Sequence, residues 1–201
     1  MTGLLLGFAL ILPIGAQNVF VVGQGLSAGW TRACWAAVAA GCCDTLLIIT
    51  GAAGASGLLT VIPAVRMVML AAGAVFLGYL GIRAWRSAES GLGRDPDSPA
   101  LAPVAVIRRT IAVSLLNPHA ILDTVGVIGA AVAAQPAAHR ISFATGTASA
   151  SWLWFFLLAA GAAWSRRLLT PRRALWFERI SGTVMIAFGL VFAWQLVGFL
   201  R

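Results

Sequence analysis

Six stretches of about 20 mainly apolar residues, at about 4–24, 33–55, 62–84, 108–134, 141–164 and 177–199, take up nearly all of this chain. Each has the length an α-helix needs to cross the hydrocarbon core of a bilayer. The expected fold class is therefore an all-α integral membrane protein with six transmembrane helices. Composition agrees: 60% of the 201 residues are hydrophobic and only 10% charged, where a globular domain carries roughly 25% charged residues. No soluble domain of useful size is left over.

The net charge of +8 could suggest a nucleic-acid partner, but the placement of the charges argues against one. All fourteen basic residues are arginine and none is mid-span. With six spans, the loops at 25–32, 85–109 and 165–179 lie on one side of the membrane. They and the adjoining span ends carry Arg32, Arg83, Arg86, Arg94, Arg108, Arg109, Arg166, Arg167, Arg172, Arg173 and Arg179, eleven of the fourteen. The positive-inside rule makes that side the cytoplasm and puts both termini outside. The first basic residue after the amino terminus is Arg32, so the charged region of a cleaved signal is missing and the first apolar stretch is expected to stay as a helix. Cys34, Cys42 and Cys43 have no metal-like spacing and read as small packing residues.

The one polar linker, at 87–107 with its Gly-, Pro-, Asp- and Ser-rich part from Ser87 to Pro103, falls mid-chain. It divides a first three-helix unit, 1–86, from a second, 108–201. Sliding the chain on itself by about 105 residues sets Pro13 over Pro118, Asn18 over Asp123, Gly41 over Gly146 and Asp44 over Ser149. Because three spans is an odd number, the second copy enters the membrane from the opposite side, and the pair forms an inverted repeat.

The same alignment picks out candidate chemistry. Proline in a helix removes a donor and displaces the carbonyl four residues back, so Pro13 frees the carbonyl of Ala9 and Pro118 that of Ser114. In lipid, broken backbone is tolerated only where it faces protein or a wet cavity. With Gly15, Gln17 and Asn18 near the first break and Asn117 and His119 near the second, helices 1 and 4 are expected to be discontinuous and to build a binding site at mid-depth. Two aspartates, Asp44 and Asp123, are the only charges well inside the long apolar stretches, away from their ends. An ionisable group there costs several kcal/mol and usually marks a substrate or proton path.

His119 and Asp123 share a helix face at i, i+4 and could form a histidine–carboxylate pair, a proton relay or two metal ligands. The only other histidine, His139, falls in a loop, so no metal and no other cofactor is expected. Ser149, over Asp44 in the alignment, is the weaker binding candidate. Trp152 and Trp154 could stack on a cationic ligand, although anchoring at the interface is the commoner role of such residues; Trp164, Trp176 and Trp194 read as interface belt. Gly73, Gly78, Gly81, Gly182 and Gly189 mark close helix crossings in spans three and six.

LPIGAQNVFVVGQG at 12–25, Asp44, NPHAILDT at 117–124 and GTASASWLWFF at 146–156 resemble the motifs of the LysE family of amino acid exporters, in its lysine/arginine-exporting branch. The likeness covers almost the whole chain and departs from many relatives at Ala16, where they carry proline. It implies export of small amino acids from the bacterial cytoplasm, driven by the proton gradient and not by an enzyme reaction.

The expected function is thus proton-coupled export of a cationic amino acid, arginine or lysine, across the bacterial plasma membrane, with the lipid bilayer and protons as its other partners. Asp123 is expected to read the substrate's charge and Asp44 to couple the proton or bind second. The alternatives are a neutral amino acid such as homoserine or threonine, a divalent cation at His119 and Asp123, or an intramembrane protease. The last also needs two aspartates but a GxGD-like setting that CCDT and ILDT do not provide. Homo-oligomerisation is left open.

Overall fold

The computed structural model describes residues 2–12, 15–55, 63–89, 102–117, 121–168 and 171–200, all helical apart from short connections. Pro13, Pro118 and His119 lie outside the described residues, as does the side chain of Asp123. Among the described residues eight α-helices follow in order: α1 (Thr2–Ile11), α2 (Ala16–Ala28), α3 (Trp30–Thr50), α4 (Pro63–Glu89), α5 (Pro103–Leu115), α6 (Gly129–Ala133), α7 (Ala137–Ser165) and α8 (Pro171–Leu200). Two π-helical segments, Gly51–Ala55 after α3 and Leu122–Ile128 before α6, widen the helix at those points. Trp30–Ala53, Ala137–Ser165 and Leu175–Gly198 are long and apolar enough to cross a membrane.

The first expected helix break is present. α1 and α2 together make one apolar stretch, but they meet at an angle of 80°. Such a bend strands carbonyls at the end of α1, and in lipid each must find a partner. The Asn18 amide, in the first turn of α2, reaches back to the carbonyl of Ile11 at 3.3 Å. Gly15 caps the new helix in an extended conformation, its carbonyl accepting from Val19 at 3.1 Å. The second expected break, at Pro118, lies outside the described residues; on either side of it α5 ends at Leu115 and the Ile121 N–H bonds the Asn117 carbonyl at 3.2 Å. α5 begins at Pro103, five residues before the expected start of the fourth span. Proline at the first helical position is preorganised for a helix start.

Of the three long spans α3 lies innermost, with 56% of its apolar window buried against 28% for α7 and α8. Its buried face is built from small residues, Ala33, Ala36, Ala37, Ala40 and Gly41, which let neighbours come close. The need for that is physical, since lipid tails are as apolar as leucine and helices in lipid associate through close packing and hydrogen bonds. α4 and α8 form the second pairing. There a Cβ on Gly81 would lie 2.7 Å from the Gly182 carbonyl oxygen, and one on Gly182 would lie 2.9 Å from that of Gly81. Phe192, Leu70, Leu77 and Met185 fill the rest of that seam and reach Phe20 and Val19 of α2.

α1 is held on α7 in the same way. A Cβ on Gly7 would meet the Ala150 Cβ at 2.7 Å, and the Thr147 hydroxyl is shared between the carbonyl oxygens of Gly3 and Phe143, each 3.0 Å away.

Candidate functional site

Asp44 sits on the inner face of the innermost helix, 6% exposed. Its carboxylate accepts two hydrogen bonds. The Gln17 amide, one residue into α2 after the break, donates to Oδ1 at 3.3 Å, and the Ser151 hydroxyl of α7 donates to Oδ2. Three elements therefore converge on one charge: the broken first span, α3 and α7. Gln17 reaches Asp44 because the 80° bend turns the first residues of α2 inward, where Ala16, Gln17, Asn18, Val19, Phe20 and Val21 are all buried in succession. A straight helix would bury only one face of that run.

Energetically the cluster is incomplete. Burying a carboxylate costs several kcal/mol, and each hydrogen bond to a charged group returns about 1.5–3 kcal/mol. Both donors are neutral, and among the described residues no arginine pairs with Asp44. A lone buried carboxylate is stable when a positive charge or a proton joins it. Among the described residues, no three His, Cys, Asp or Glu side chains gather as a metal site would need.

Next to this cluster, Trp152 covers Gly41. Its ring atoms lie 2.8–3.1 Å from where a Cβ on Gly41 would stand, and its indole N–H donates to the Thr45 hydroxyl at 3.0 Å. Thr45 in turn donates to the Gly41 carbonyl at 2.7 Å. Trp152 thus packs against α3, stacked on Phe156 with centroids 6.1 Å apart. Trp164, Trp176 and Trp194 are exposed on the outside of the bundle.

Of the residues singled out from the sequence, Gln17 and Asp44 meet directly, and Asn18 and Asn117 are buried near the two breaks. Gly15 caps α2. Asp123 belongs by its backbone to the π-helical segment Leu122–Ile128. Ser149 is not brought to Asp44: it is exposed, and its hydroxyl donates to the Thr145 carbonyl at 2.8 Å. Ser151 stands in the place expected of it. Residues two apart on an α-helix point about 200° apart, so only one of Ser149 and Ser151 can face α3. The signal that distinguishes them is the stripe Phe143, Thr147, Ser151, Phe155 and Ala159, all buried at a spacing of four.

Among known proteins, "Putative amino-acid transporter YisU" of Bacillus subtilis is 38% identical to this chain over 187 residues, covering 92% of this chain and 84% of that protein. "Arginine exporter protein ArgO" of Enterobacter sp. (strain 638) is 38% identical over 197 residues, covering 94% and 90%. The protein of that name in Escherichia coli O157:H7 is 37% identical over 186 residues, covering 91% and 87%. No solved structure matches the chain. The profile of LysE type translocators matches residues 8–196, a span that takes in both helix breaks, Asp44 and Ser151, and the chain belongs to that family.

Proposed function

We propose that this protein exports a basic amino acid, L-arginine or L-lysine, from the bacterial cytoplasm in exchange for protons. The observation that carries the reading is the Asp44 carboxylate, buried on the innermost of the long spans and held, among the described residues, by two neutral donors. The positive partner that such a group requires then comes from outside the protein, as a proton or as the cationic side chain of the substrate. The two compete for one carboxylate, which is the simplest form of antiport. The arginine exporters among the relatives support the choice of substrate.

One-for-one exchange of a cation for a proton moves no net charge, so it draws only on the pH difference. Drawing on the voltage, at about 2.3 kcal/mol per charge per 100 mV, needs a second proton, and Asp123 is the second carboxylate available. His119 and Asn117 belong to the same region by sequence. The working architecture is six spans in two inverted three-helix repeats, both termini outside, with the 87–107 linker in the cytoplasm. The pairing of helices supports it: α3 lies on α7 and α4 on α8, and the broken first span packs on α7 as α5 packs on α3. An in-plane two-fold axis would exchange these partners.

Inverted membrane vesicles carrying the protein test the reading. Labelled arginine is expected to accumulate when the interior is acidified, and dissipating the pH difference should stop it. Unlabelled lysine is expected to compete and threonine to fail. Competition by threonine with no effect of lysine would overturn the substrate assignment and favour a neutral amino acid.

In the same vesicles Ser151→Ala is expected to slow arginine flux by about tenfold, the worth of one hydrogen bond to a charged group. Ser149→Ala should leave flux unchanged. Equal rates in the two variants would show that the Ser151 contact is mere packing.

A further inference from the structure

At the end of the bundle that bears the arginine-rich loops, α2, α4, α5 and α8 enclose a cavity of about 190 Å3. Asp44 and Gln17 are not part of its wall. Most of that wall is apolar, Phe20 included, but five polar side chains enter it: Gln24 and Ser27 from α2, Arg83 from α4, Arg109 from α5 and Ser181 from α8. Among the described residues no lining side chain is acidic. Arg83 and Arg109 are near enough for their charges to act on one another. Arg83 has a hydrogen bond to the Tyr79 hydroxyl at 3.4 Å, and neither arginine pairs with a carboxylate among the described residues.

Ser181 adds an independent sign. It is only 7% exposed, and its hydroxyl has no hydrogen-bond partner among the described residues. A buried hydroxyl left unpaired costs about 1–3 kcal/mol, and two like charges beside an apolar cavity repel. One ligand relieves both: an anion with two acceptor oxygens, which guanidinium groups bind in a planar fork. The space limits its size. A volume of about 190 Å3 is well above the roughly 10–15 Å3 that one water needs, so a ligand on the scale of an amino acid has room.

We infer that this cavity is a docking subsite for the α-carboxylate of the transported amino acid, with Arg83 and Arg109 as its charge partners and Ser181 as a third donor. The inference rests on the export reading above. Gln24 follows Gln17 by seven residues, about 10 Å along α2 at 1.5 Å per residue, so the subsite and the Asp44 cluster are served by one helix. The arginine pair repels the substrate's cationic side chain while holding its carboxylate. The amino acid is therefore received carboxylate first, and cations without a carboxylate are rejected, which is specificity by repulsion as well as attraction.

Vesicle uptake of labelled arginine, with unlabelled arginine or agmatine as competitor, tests this. Agmatine is arginine without its carboxylate. In the wild type, agmatine is expected to compete about tenfold or more worse than arginine, the scale of a charge-assisted hydrogen bond. In Arg83→Gln and Arg109→Gln the KM for arginine should rise by a similar factor, with the maximal rate nearly kept and the preference over agmatine lost. Ser181→Ala, which leaves the charges in place, should raise KM by a smaller factor.

Unaltered KM and unaltered rejection of agmatine in all three variants, at equal amounts in the membrane, overturns the subsite. Repeating the assay with purified protein in phosphatidylcholine vesicles, with and without phosphatidylglycerol, separates a lipid occupant. If removing the anionic lipid changes wild-type KM but not that of the arginine variants, the pair holds a headgroup and the subsite is refuted. Absence of any arginine uptake by the wild type would sink the export reading and the subsite together, whereas failure in the variants sinks the subsite alone.

Discussion

Asp44→Asn is expected to lower arginine export about 100-fold, the result of losing a buried charge contact of at least roughly 2–3 kcal/mol. The fold should survive it. An asparagine side chain at this position still accepts from Gln17 and can donate to the Ser151 oxygen, so the hydrogen bonds of the cluster have replacements, and the cost of burying a charge disappears. The variant should therefore reach the membrane in normal amount and melt no lower than the parent, while uptake of labelled arginine into inverted vesicles is nearly abolished. Asp123→Asn run beside it measures how the work divides between the two carboxylates. Parent-like uptake by Asp44→Asn would take the carboxylate out of the mechanism.

A large effect on folding is expected at Gly129. A Cβ there would lie 2.7 Å from the Cα and carbonyl carbon of Gly51 and 2.8 Å from its oxygen. The converse is as tight, since a Cβ on Gly51 would meet the Val125 oxygen at 2.6 Å. All of these are backbone atoms, which cannot swing aside as a side chain does. Gly129→Ala thus forces the Gly51–Ala55 segment and the start of α6 apart, at about 1–3 kcal/mol for an overpacked methyl. Gly129→Leu should leave no monodisperse protein in fluorescence-detected size exclusion. Gly161, where an added Cβ would meet nothing within 4 Å, is the control, and Gly161→Ala should be neutral or slightly stabilising because alanine is the better helix former. A normal melting curve for Gly129→Leu would show that the two segments do not pack against each other.

Much of the site is legible in the residues themselves. Asp44 stands out because an uninterrupted apolar setting makes any charge conspicuous. The first break is readable from Pro13 and Gly15, and Asn18 is near it for a reason the sequence only hints at, as the group that satisfies the Ile11 carbonyl. Gly81 and Gly182 are expected at a close crossing and meet each other there. Gly78 plays the receiving part, its backbone nitrogen 3.3 Å from a Cβ placed on Gly189.

Ser149 shows where such reading stops. An alignment of the two halves pairs positions that correspond in sequence, but which side chain touches Asp44 depends on the rotation of α7 about its own axis. The helical stripe through Thr147 and Ser151 carries that information and the repeat offset does not. Trp152 is similar: tryptophan suits both an interface and a glycine notch, and only the tertiary structure shows that its ring covers Gly41.

What the sequence determined alone is what depends on composition along one helix length: membrane embedding, the break in the first span, the isolation of the aspartates and the asymmetry of the arginines. Transfer of a segment into lipid is a sum over its own residues, so no knowledge of neighbours is required. Tertiary structure alone decided that Ser151 and Gln17 hold Asp44, that Gly51 lies on Gly129, and that Arg83, Arg109 and Ser181, from three separate helices, line one cavity. Those facts turn on helix rotation and pairing. In lipid these are set by short-range packing between helices far apart in the chain, which no local pattern of residues records.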